Sequence, residues 1–164
     1  MQGYDAGVFA GFFTAVTGAA AALAGLLFVA VSINLPNILK GPMLPARAAE
    51  MLATLVAVVV TSALVLVPQD VELLGGEILV IAVPLAVLTV RDQVRYRRQN
   101  PDSPLLWSAS RMTASGIALL PAVLAGISLT VHWGGGLYWL VPASLFGIAG
   151  AVYSAWVLLV EILR

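Results

Sequence analysis

From Ala6 to Leu39 the chain carries no charged residue. No other feature limits the fold so strongly. A hydrocarbon core about 30 Å thick is crossed by roughly 20 helical residues at about 1.5 Å each. Backbone groups in lipid must bond within their own segment, so such a run folds as a helix. Residues 1–5, MQGYD, contain no lysine or arginine. The apolar run also far exceeds a secretory leader's core of about 7–15 residues, so the reading is a retained span. The rest of the chain agrees: 61% of it is hydrophobic and 10% charged, against about 25% charged in soluble domains.

Punctuation divides the chain into five apolar segments, at about 6–32, 45–67, 73–90, 111–131 and 137–163. Asn34, Pro36 and Asn37 are read as ending the first, and Pro45 and Pro68 as bounding the second. Gly75 and Gly76 weaken the start of the third, and Pro84 predicts a kink in it. Trp107, Trp133, Tyr138 and Trp139 fall where headgroup-level aromatics belong. The expected fold is all-α: a polytopic bundle of five transmembrane helices forming one domain, 1–164. The alternative makes the third segment re-entrant, because its apolar run from Ile78 to Val90 is short, and leaves four spans.

Loop charge orients the five-span reading. Lys40, Arg47, Arg91, Arg95, Arg97, Arg98, Arg111 and Arg164 all fall on one side. The positive-inside rule makes that side cytoplasmic, which is N-out/C-in. Asp5, Asp70, Glu72 and Glu77 then lie outside.

The middle of each segment is free of Asp, Glu, Lys, Arg and His. Ion-coupled pumps commonly keep an ionisable group at that depth. Without cysteine and with His132 alone, neither a thiolate site nor a histidine metal cluster is expected, and no cofactor. His132 beside Trp133 reads as an interfacial histidine, not a general base. Zero formal net charge argues against a nucleic-acid partner. The chain is therefore read as non-enzymatic.

The polar candidates are few. Thr14, Thr17, Ser32, Asn34, Glu50, Glu72 and Glu77 are the pore or gate candidates. Acidic residues repeated by symmetry would concentrate cations at an outer mouth; a plain solvated loop is the simpler account. Glu50 pairs either with Arg47 three residues away or with Arg91 or Arg111 on another helix. Ser32 and Asn34 either line a vestibule or serve their own helix end. Thr61 and Ser62 are expected to bond the preceding turn's carbonyl or a neighbouring helix. Arg91, Arg95, Arg97 and Arg98 suit anionic lipid headgroups as well as topology anchoring.

Small residues form the other pattern. Gly7 and Gly11 make a GxxxG pair, and Gly11, Gly18 and Gly25 recur every seven residues with Ala15 and Ala22 alongside. Gly147 and Gly150 mark a similar stripe in the last segment. Such stripes let two helix backbones approach closely. The first stripe packs either within the chain or against a second copy.

The runs GAAAALAGLLFVAVSINL (18–35) and LPARAAEML (44–52) resemble a group of small multi-spanning bacterial membrane proteins, some labelled membrane-protease modulators. The resemblance covers about the first third of the chain and implies a bacterial inner-membrane protein. It carries over no functional residue. Two functions are consistent with these features. One is a homo-oligomeric pore for ions or small solutes. The other is an accessory or regulatory subunit packed on another membrane protein. An enzyme or lipid-handling protein would need Glu50, Arg91 and Arg111 to converge.

Overall fold

A computed structural model describes the backbone of residues 2–40, 44–99 and 105–162, with side chains described except at 2, 96–97, 99, 105–117 and 158–162. Five helices follow a short 3-10 turn at Gln2–Tyr4. They are α1 (Ala6–Ile38), α2 (Leu44–Leu66), α3 (Val71–Gln99), α4 (Leu105–Val131) and α5 (Leu140–Ile162). A second 3-10 turn, Gly136–Trp139, joins α4 to α5. No strand occurs among the described residues.

Four segments are long and apolar enough to cross a membrane: Ala6–Ile38, Leu44–Leu66, Val71–Arg95 and Gly136–Val157. Ala118–Val131 is a shorter apolar helix. These lengths and compositions mark a membrane-embedded protein.

Three boundaries differ from the sequence reading. Helix α1 does not stop near residue 32 but runs through Pro36 to Ile38. Ile38 is 1% exposed and packs with Leu27, Ala48, Met51 and Leu55, so contact with α2 overrides the local stop signals. The missing Pro36 N–H removes one backbone bond, yet Leu39 N–H still donates to the Leu35 carbonyl at 3.0 Å. Helix α3 likewise continues past residue 90 to Gln99. The segment RDQVRYRRQ contains no glycine or proline and is rich in good helix formers. α4 begins at Leu105, six residues before the expected start at 111.

Consecutive helices alternate in direction. α3 packs mainly on α4 and α1 mainly on α2; α5 bridges the two pairs through α4 and α2. α1 touches α5 only lightly, which leaves α1 at the periphery. Its buried residues Phe9, Phe13, Val16, Ala20 and Leu27 form a narrow stripe. At one end of the bundle Phe9 and Phe13 meet Val65, Ile78, Leu129 and Leu140. At the other end Leu27 and Ile38 meet Met51, Leu55 and Ala151. Val16, Ala20 and Val58 connect these two cores.

Glycine sets the closest helix contacts. A Cβ on Gly75 would lie 2.8 Å from the Thr130 nitrogen and 2.9 Å from the Gly126 oxygen. A Cβ on Gly147 would lie 2.8 Å from a Val58 methyl. Between α4 and α5 the chain reverses on left-handed backbone at His132 (φ 53°), Gly134 (94°), Gly135 (114°) and Gly136 (58°). The three glycines adopt these angles without Cβ strain.

Candidate functional site

The alternating helices sort charge to two ends. Asp5, Asp70 and Glu72 stand exposed at one, called here the acidic end. Lys40, Arg91, Arg95 and Arg98 stand exposed at the other, the basic end. Arg97 lies on the α3 backbone, with its side chain outside the described residues. Arg111 and Trp107 also fall outside the described side chains, and Arg164 outside the described residues altogether.

At the acidic end, Asp5 caps α1 by accepting the Gly7 N–H at 2.9 Å. The Tyr4 ring stacks on His132, with centroids 5.6 Å apart. His132 Nδ1 lies 3.9 Å from Glu72 Oε1, and Glu72 is largely exposed. Glu77 is half-buried and accepts from Gln69 Nε2 at 2.9 Å. That amide also donates to the Leu64 carbonyl at 3.2 Å. Of the two glutamates, only Glu72 therefore faces freely outward. Ser128 ties the reversal together. Its hydroxyl donates to the Trp133 carbonyl and accepts the Gly136 N–H at 2.8 Å. The Trp139 indole donates to the Gly134 carbonyl at 2.7 Å.

At depth the hydroxyls divide. Thr17 donates to the Phe13 carbonyl at 2.7 Å, Thr61 to Ala57 at 2.7 Å and Ser144 to Leu140 at 2.9 Å. Ser62, expected to bond the preceding turn or a neighbouring helix, is fully buried with no hydrogen-bond partner among the described residues. Thr14 is exposed and makes no hydrogen bond to the described residues. Nearer the basic end, Ser32 donates to the Phe28 carbonyl at 2.8 Å and Asn34 to Ala30 at 2.9 Å. Both thus serve their own helix. Arg47 and Glu50 are half-buried and each has a partner. Thr17 and Ser32 are fifteen residues apart, about 22 Å along α1. Within one chain the pore and gate candidates therefore do not converge.

The small residues of α1 give the clearest surface. Gly11, Ala15, Gly18, Ala22 and Gly25 are all exposed. A Cβ on Gly11, Gly18 or Gly25 would meet nothing within 4 Å, whereas Gly75, Gly126 and Gly147 each have a helix against them. Gly7 has only the Asp5 carboxylate nearby, and Gly150 is half-buried on α5. Thr14 lies between Gly11 and Gly18 on this outward face. Sequence reasoning singled out the stripe and left its partner open; the fold turns it away from the bundle. It missed the Gly75–Gly126 contact, because GG at a helix start reads as a weak first turn.

No group of three or more metal-ligating side chains occurs among the described residues. Comparison with protein-family models, curated proteins and solved structures finds no match.

Proposed function

We propose that this chain is the non-enzymatic subunit of a homo-oligomeric pore for ions or small solutes, with five spans in the N-out/C-in orientation of a bacterial inner membrane. One observation carries the reading. The fold uses glycine for close helix contacts at Gly75, Gly126 and Gly147, and a matching set on α1 has no helix against it. A second copy supplies that helix. The pathway lies between subunits, with Thr14 facing it. Exposed Asp5, Asp70 and Glu72 repeat around the outer mouth, where an acidic ring concentrates cations. The exposed arginines of α3 contact anionic headgroups on the cytoplasmic side.

The test is the native mass of the purified chain in lipid nanodiscs, followed by conductance in planar bilayers. A defined oligomer that conducts supports the pore. A monomer overturns it. The same outward face then favours the second reading, an accessory subunit whose α1 packs on another membrane protein, as the resemblance to proteins labelled protease modulators suggests.

A further inference from the structure

A groove of about 310 Å³ opens on the side of the bundle between α1, α2 and α5. Its α1 wall runs from Leu23 to Ile38, about 22 Å of helix. Half of a hydrocarbon core is about 15 Å. The groove wall is therefore longer than one leaflet's hydrocarbon depth, enough to hold an acyl chain with its glycerol end, and it lies toward the basic end. Leu55 forms the α2 wall, and Ala151 and Trp156 belong to the α5 wall. Among the described residues lining it, Asn34 and the Trp156 indole supply the polar groups.

Polar groups cluster where the groove approaches the basic end. The Asn34 amide N–H is turned back to Ala30, which leaves its carbonyl oxygen without a partner among the described residues. One turn further along α1 is Asn37, whose side-chain oxygen is 3.4 Å from the Lys40 ammonium. Lys40 is exposed. Trp156 is exposed too, and its indole N–H has no partner among the described residues. An apolar slot long enough for an acyl chain, with an indole donor on its wall and a cation two residues beyond Ile38, matches a lipid with an anionic head. The apolar walls take an acyl chain, Lys40 answers the phosphate, and the indole suits the ester level.

We propose that this groove binds one acyl chain of an anionic phospholipid from the leaflet on the basic side, with Lys40 selecting the headgroup. The proposal rests on the membrane placement above but not on oligomerisation, which the native mass tests separately.

The experiment reads quenching of Trp156 by lipids brominated on the acyl chain. Trp107, Trp133 and Trp139 are replaced by phenylalanine, and the protein is reconstituted in phosphatidylcholine vesicles. Brominated phosphatidylglycerol or brominated phosphatidylcholine is then added at equal low mole fraction. The expected result is about fivefold tighter apparent binding of the brominated phosphatidylglycerol, matching one cation's attraction to an anionic lipid. Lys40→Gln removes that preference. Arg95→Gln, on α3 away from the groove, retains it. Ala30→Phe fills the groove and lowers quenching by both lipids. Equal quenching by the two lipids in the parent overturns the proposal. So does loss of the preference in Arg95→Gln to the same degree as in Lys40→Gln, or unchanged quenching in Ala30→Phe. Should the three-phenylalanine background not fold, native mass spectrometry of the chain with its tryptophans intact decides. One phosphatidylglycerol retained per chain, and lost in Lys40→Gln, supports the groove; none retained overturns it.

Discussion

Gly75 on α3 and Gly126 on α4 face each other so closely that a Cβ on either would press on the other's carbonyl oxygen, at 2.9 and 3.1 Å. The two substitutions are not equivalent. A methyl on Gly75 would also lie 2.8 Å from the Thr130 backbone nitrogen, which cannot yield without moving α4. A methyl on Gly126 would chiefly meet the Leu79 side chain at 2.6 Å, and a side chain can rotate. Gly75→Ala is expected to destabilise by about 1–2 kcal/mol after its gain in helix propensity, Gly126→Ala by less than about 1 kcal/mol. Unfolding in mixed micelles measures both. A stabilised Gly75→Ala protein would contradict the contact.

The outward glycines of α1 should behave in the opposite way. Gly18→Leu and Gly25→Leu add bulk where nothing lies within 4 Å, so monomer stability should change by no more than about 0.5 kcal/mol. Native mass should shift toward monomer. An oligomer that survives both substitutions would place its interface elsewhere.

Ser128 is expected to matter more than a serine near a helix end usually does. Ser128→Ala deprives the buried Gly136 N–H and the Trp133 carbonyl of their partner, a loss of about 1–3 kcal/mol. Thr130 is a useful contrast, since its hydroxyl only bonds back to Gly126 on the same helix. Thr130→Ala should stay within about 0.5 kcal/mol of the parent. Thermal unfolding in detergent separates the two.

The acidic end allows charge and structure to be tested apart. Glu72 is exposed, and Glu72→Gln should reduce cation preference in bilayer recordings while leaving stability unchanged. Glu77 is bonded to Gln69, and Glu77→Leu should lower stability by about 0.5–1.5 kcal/mol. Unchanged cation preference in Glu72→Gln would remove the acidic mouth.

Local signals were reliable where one physical effect dominated. Uncharged runs placed all five helices, and the link at HWGGG was legible because glycine adopts reversing backbone most readily. Boundaries failed where packing outweighed punctuation. Asn34, Pro36 and Asn37 looked like a stop, but Ile38 is held in the core against α2. The arginines after Val90 marked the end of the apolar run, with a continued helix left open, and α3 does continue to Gln99 because nothing there breaks it. The candidate site was half legible. A seven-residue glycine repeat shows that a face is smooth but not which way it points, since that depends on whether Phe9, Phe13 and Val16 or the glycines meet α2. Ser128 was indistinguishable from the hydroxyls that bond their own helix until the reversal brought Gly136 back to it. The lateral groove could not be read at all, because its walls come from three helices far apart in sequence.

The clasp at the acidic end has a consequence for biogenesis. Gly3 abuts Gly136, Tyr4 stacks on His132, and the Phe9 ring meets Tyr138 edge-on at 5.0 Å. Roughly ten seconds of translation separate the two halves of this contact at about 5–20 residues per second. During that interval α1 is already made, while the segment that fastens its start is still in the ribosome. The nascent helix packs chiefly on α2 in that interval, with its glycine face uncovered. Closure of the bundle is thus a late event, triggered when the last hairpin emerges.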